Sequence, residues 1–64
     1  MKLAVETPSR RFVIEEDKKE VGYYIYVYEG NRCTHDYLQE TLEAAIDFAF
    51  EYFDVPKDAW KPAE

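Results

Sequence analysis

The chain has one cysteine, two glycines and three prolines, and no apolar run long enough to cross a bilayer. A single cysteine, Cys33, excludes an internal disulfide framework. That cysteine and one histidine fall short of the four-ligand spacing of a structural zinc site, so neither metal nor cofactor is expected. There is no glycine-rich phosphate loop, no Ser-His-Asp set and no basic patch interleaved with aromatics. The N-terminus has no apolar signal-peptide region, and a cytoplasmic location is expected. Lys and Arg are sparse, 8 against 14 Asp and Glu, for a net charge of −6. A protein of that sign does not displace counterions from nucleic acid and is repelled by an anionic membrane. A single domain of 64 residues buries only a modest core. With no disulfide or metal to support it, oligomerisation is the remaining support, and a homodimer is expected.

What the chain does have is aromatic side chains, 17% of its residues. The most β-prone stretch is Val-Gly-Tyr-Tyr-Ile-Tyr-Val-Tyr-Glu-Gly, from Val21 to Gly30. Alternation along a strand turns Tyr23, Ile25 and Val27 to one side, towards a core. It turns Tyr24, Tyr26 and Tyr28 to the other. Residues 11–16 read as a second strand, with Phe12 and Ile14 on one face and Val13 on the other. Asp17-Lys18-Lys19-Glu20 suits a hairpin loop. Gly30-Asn31 predicts a tight second hairpin. A two-residue loop there sets Glu29 opposite Arg32, Tyr28 opposite Cys33, Tyr26 opposite His35 and Ile25 opposite Asp36. A carboxylate is ill placed on the core face, so the third strand is expected to end near His35. Residues 1–10 read as a short edge strand or a loose arm, and residues 61–64 as a tail.

Leu38, Leu42, Ala45, Ala49 and Tyr52 recur at helical spacing and predict a helix over 36–54. Asp36 with Gln39 makes a capping box at its start. A start at Thr41, with the strand running on to Leu38, is the alternative. Asp54-Val55-Pro56 stops the helix, because a residue before proline avoids the helical region. Pro56 to Trp60 suits one further turn, with Trp60 folding back over one end of the core. The expected fold is therefore α+β in one domain, residues 1–64. It consists of a three-stranded antiparallel meander over 11–16, 22–29 and 32–35, with one long helix packed on the Ile25/Val27 face.

The charge is uneven. Residues 1–35 hold six basic and six acidic side chains; residues 36–64 hold two and eight, which accounts for the whole −6. No Lys or Arg lies between Cys33 and Pro56. Asp36, Glu40, Glu43, Asp47, Glu51, Asp54 and Asp58 follow spacings of four and three, an acidic stripe opposite the apolar face if one helix carries them all. Such a stripe is what any amphipathic helix turns to solvent; because like charges at i,i+4 destabilise a helix, it also suits docking on a basic surface. Phe50 lies nearer this stripe than the core. Phe48 and Tyr37 flank the core face on one side, Ile46 and Phe53 on the other. So many aromatics exceed what a three-stranded sheet covers.

The leading functional expectation is a non-enzymatic protein-interaction module that binds a basic protein partner through Glu40, Glu43, Asp47 and Glu51 with Phe50 as anchor. The second is a structural homodimer with Tyr24, Tyr26 and Tyr28 as self-contact. A distant third is a small enzyme using Cys33 and His35, two residues apart on one strand face. That pair lacks an orienting third group, an oxyanion hole and a pocket. No catalytic residue is assigned.

Two resemblances bear on this reading. The stretches His35–Ala45 and Asp54–Trp60 resemble a pattern in small uncharacterised bacterial proteins found among toxin-immunity genes and mobile gene cassettes. The run Thr41-Leu42-Glu43-Ala44-Ala45 resembles the helix start of HicB-type antitoxin domains, without the Pro-Asp-x-Pro-Gly segment that such domains carry between strand and helix. Both resemblances imply an acidic, immunity-like or antitoxin-like protein that masks a partner.

Overall fold

The computed structural model describes residues 1–19 and 21–63; Glu20 of the expected loop and Glu64 of the expected tail lie outside the described residues. The fold is α+β: one five-stranded antiparallel sheet and one helix. In chain order the elements are β1 (Lys2–Glu6), β2 (Arg11–Asp17), β3 (Gly22–Glu29), β4 (Arg32–Gln39), α1 (Leu42–Phe53) and β5 (Lys61–Pro62). The strands lie side by side as β4-β3-β2-β1-β5.

The three expected strands are present in meander order, and two more extend them. Residues 2–6 are a strand, as one of the two expectations had it, but not the edge of the sheet. They form β1, an interior strand paired with β2 on one side and β5 on the other. Residues 61 and 62, expected as tail, form that outer strand. Leu3 and Val5 pair with Ile14 and Phe12, continuing the apolar alternation of β2 and tying β1 to the core.

The second correction concerns β4, which runs to Gln39 instead of ending near His35. The Gly30-Asn31 turn sets Glu29 opposite Arg32 and Tyr28 opposite Cys33, as its length requires. Beyond that the register shifts: Val27 faces His35, Tyr26 faces Asp36 and Ile25 faces Tyr37. Thr34 is the extra residue, a β-bulge whose hydroxyl bonds the Val27 carbonyl at 3.2 Å. One unpaired residue reverses which face every later side chain meets. Asp36 therefore leaves the core face and His35 and Tyr37 enter it, which removes the reason for ending the strand.

The helix is correspondingly shorter than 36–54. It starts after Thr41, whose hydroxyl accepts from the Ala44 N–H at 3.0 Å. The Asp36–Gln39 capping box does not form, since both residues are in β4. Asp54 ends the helix in the left-handed conformation, φ 57°, and the Asp54 and Val55 N–H groups close onto the Phe50 and Ala49 carbonyls.

The core lies between α1 and one sheet face. Ala45 and Ala49, one turn apart and both fully buried, let the helix backbone approach Ile14, Ile25 and Val27 closely. Trp60 folds back as expected. It packs with both halves of the core, beside Leu3 and Val5, and Val55 is buried next to it. Among the described residues, the Trp60 indole nitrogen is the one buried side-chain polar atom with no hydrogen-bond partner. Tyr52, read as a core-facing position, is instead 68% exposed. It stands in the last turn of α1, with its ring on Phe48 at 4.6 Å between centres.

Candidate functional site

With α1 and Trp60 on the Phe12/Ile14/Ile25/Val27 side, the opposite face of the sheet is left open. Strand pairing fixes its layout as three rows. The first runs Leu38, Tyr24, Glu15, Lys2 from β4 to β1. The second runs Asp36, Tyr26, Val13, Ala4 and on to Lys61 of β5. The third runs Cys33, Tyr28, Arg11, Glu6. The three tyrosines are here because β3 alternates, as its sequence requires. Leu38 and Asp36 are here because of the bulge.

The tyrosines form a ladder of rings, the first pair stacked and the second tilted at 45°. Tyr24 and Tyr26 lie 5.6 Å apart between ring centres, inclined by 17°, and Tyr26 and Tyr28 lie 6.4 Å apart. Each is half-buried by its neighbours. Rings held this way have little conformational freedom left to lose on contact. Beside them Val13 is 2% exposed and Leu38 is 44% exposed. Burial, and the nearby carboxylates of Glu15 and Asp36 with the two flanking phenols, push the Tyr26 hydroxyl pKa above its ordinary 10.0. The phenol therefore stays neutral, an available donor, through the physiological range.

The acidic set is more dispersed than the expected stripe. Glu43, Asp47 and Glu51 lie on α1. Glu40 is in the turn before the helix and Asp36 in β4. Lys57 returns to Asp47 at 3.1 Å and lies over the Phe50 ring at 5.1 Å, so the apparent absence of a lysine ends once the chain folds. Sequence spacing missed this because the lysine arrives from beyond the helix end. Phe50 remains 46% exposed.

The surplus of bare rings is smaller than expected. His35, Tyr37, Phe48, Tyr52 and Phe53 pack on one another beside β4, with Tyr37 and Phe48 4.6 Å apart. Among the described rings only Phe50 and Tyr52 are exposed.

Cys33 and His35 do not sit side by side. Cys33 stays on the open face opposite Tyr28, and the bulge sends His35 to the core face, where its ring stacks with Tyr37 and meets Phe53 edge-on. The thiol lies 3.4 Å from the His35 carbonyl oxygen, and the imidazole Nδ1 is 3.0 Å from the Thr34 hydroxyl. A surface groove lined by Ala4, Glu6, Arg11 and Lys61 to Ala63 brings no acid, base and nucleophile together. No group of three or more His, Cys, Asp or Glu side chains among the described residues is arranged to hold a metal ion. No helix among them is long and apolar enough to cross a membrane. Comparison with family models, curated proteins and solved structures finds no match to this chain.

Proposed function

We propose that the protein is a non-enzymatic protein-interaction module whose contact surface is the open face of the sheet. The observation that carries this is the ladder Tyr24, Tyr26 and Tyr28 with Leu38 beside it, on the face opposite α1 and Trp60. Tyrosine suits an interface centre because its body is apolar and its hydroxyl tolerates water. Here the rings are already ordered by mutual contact, and the surrounding charges supply a polar rim. A photoreactive phenylalanine analogue at position 26, expressed in the producing cell, is expected to give a covalent protein adduct; the same group at Phe50 of α1 serves as comparison. Adducts from position 50 with none from position 26 refute the assignment of the face.

A second reading keeps the acidic helix as a dock for a basic partner, in the manner of an immunity or antitoxin protein. Its support is that Phe50 is 46% exposed on the helix that carries Glu43, Asp47 and Glu51. The Lys57–Asp47 pair leaves this surface less acidic than the spacing alone suggests. Under this reading association slows steeply with added salt, and the adduct comes from position 50.

A further inference from the structure

The charges around the tyrosine ladder form a pattern that is its own complement. Take the row Asp36–Tyr26–Val13–Ala4–Lys61 as a line across the face. On one side of it β2 carries Glu15, and on the other side Arg11. On β1 the signs are reversed: Lys2 lies on the Glu15 side and Glu6 on the Arg11 side. Within one copy Arg11 already meets Glu6 at 3.6 Å, and Lys2 pairs with Glu15 across the strands. The result is a checkerboard of four charges beside the apolar centre.

We infer that the open face is occupied by a second copy of this chain, related by a two-fold axis lying along the Tyr26–Val13–Ala4 row. This rests on the reading of that face as the contact surface. A half-turn about the row turns each strand antiparallel to its counterpart and keeps the two sheets aligned, the common packing of sheets face to face. It sets Glu15 over Arg11 of the second copy and Lys2 over its Glu6, each twice by symmetry. Tyr26, Val13 and Ala4 lie on their own images, and Tyr24 meets the second copy's Tyr28. A two-fold along the strands midway between β2 and β3 instead sets Tyr24 over Glu15 and Tyr28 over Arg11, and one midway between β1 and β2 matches the charges but leaves Tyr26 over Lys61 of the short β5 and the ladder without an apolar partner. The cost of the proposed axis is at the rim, where Asp36 faces Asp36 and Lys61 faces Lys61. Both residues are exposed, so water screens these contacts.

Charge exchange on the full chain tests the register. Sedimentation equilibrium gives the dimer dissociation constant, and circular dichroism confirms that each variant is folded. Arg11→Glu sets like charge on Glu15 of the other copy twice, and Glu15→Arg does the same on Arg11. Each is expected to raise the dissociation constant by about tenfold or more at low salt. The double exchange Arg11→Glu/Glu15→Arg restores opposite signs and is expected to recover most of that loss. Within one copy the two residues are four apart on a strand, about 13 Å, so recovery reports contact between copies. Asp36→Asn relieves the rim repulsion and is expected to tighten the dimer. A wild-type chain that stays monomeric to millimolar concentration overturns the inference. So does a dimer that ignores the single exchanges, or a double variant as weak as the singles. If position 26 captures a different protein while the chain stays monomeric, the face assignment stands and the second copy is excluded. If position 26 captures nothing, both fail.

Discussion

Deleting Thr34 is the most direct test of how β4 is organised. The structure makes Thr34 supernumerary, since the pairs Tyr28–Cys33 and Val27–His35 follow one another on β3 with only Thr34 between their partners on β4. Removing it leaves both pairs intact and makes the ladder regular. What is lost is the Thr34 hydroxyl bond to the Val27 carbonyl at 3.2 Å and its contact with the His35 ring at 3.0 Å. Each is worth about 1 kcal/mol at most, because water competes for the same groups. The regular ladder returns part of that, so the net loss is about 1–2 kcal/mol. If β4 were instead regular through Thr34, Asp36 would already face the core opposite Ile25 and Tyr37 would face away from it, and the deletion would turn Asp36 out and Tyr37 in. Relieving a buried carboxylate returns several kcal/mol, a large share of the roughly 3–5 kcal/mol that a domain of this size has in total. Urea titration followed by Trp60 fluorescence separates the cases. A folded deletion variant with an unchanged denaturant slope and a stability lower by about 1–2 kcal/mol is expected. A variant more stable than the wild type refutes the bulge.

Thr41→Ala removes the hydroxyl that accepts from Ala44 and is expected to lower stability by about 1 kcal/mol in the same titration. Val21 is a β-branched residue at φ 51° and 81% exposed. Val21→Asn is therefore expected to stabilise the hairpin by about 0.5–1 kcal/mol, since asparagine tolerates the left-handed conformation at lower cost. Asp54→Gly is expected to raise the midpoint, because it relieves a second left-handed residue and removes a negative charge from the C-terminal end of the helix dipole. Burial first, then Glu15, the flanking phenols and Asp36, raise the Tyr26 pKa. The fold thus favours the neutral phenol. That contribution is whole below pH 10 and is lost as pH climbs through the higher folded value. Ultraviolet titration of the wild type against Tyr26→Phe is expected to show position 26 ionising above the ordinary range; ionisation at or below pH 10 contradicts the environment described.

The strands and turn over Arg11 to Cys33 were legible because alternation and Gly30-Asn31 are local signals. The strongest misreading came from one residue. Nothing in Cys-Thr-His-Asp marks Thr34 as unpaired, and without that knowledge Asp36 falls in the core and the strand seems to need an early end. A helix phased from Leu38 then looks continuous, since Leu42 follows it at a spacing of four. In the fold that spacing joins a strand residue to a helix residue. β1 was ambiguous because a five-residue alternation is short, and β5 was invisible because Lys61-Pro62 has no pattern at all. The tyrosine face was readable from β3 alone. Its charge checkerboard was not, because it depends on the pairing of β1 with β2, and the neutralisation of Asp47 depends on where the chain returns after Pro56.

The pairing of β5 with β1 joins the two ends of the chain, with the Ala63 N–H donating to the Lys2 carbonyl at 3.0 Å. The other strand pairs connect neighbours in sequence and so close short loops, which form quickly. β5 instead waits until the chain has been made as far as Pro62. Trp60, the sole indole, lies one residue before it. Its emission is a built-in clock for the closing event, and in a refolding jump it should trail the far-ultraviolet signal of the hairpins.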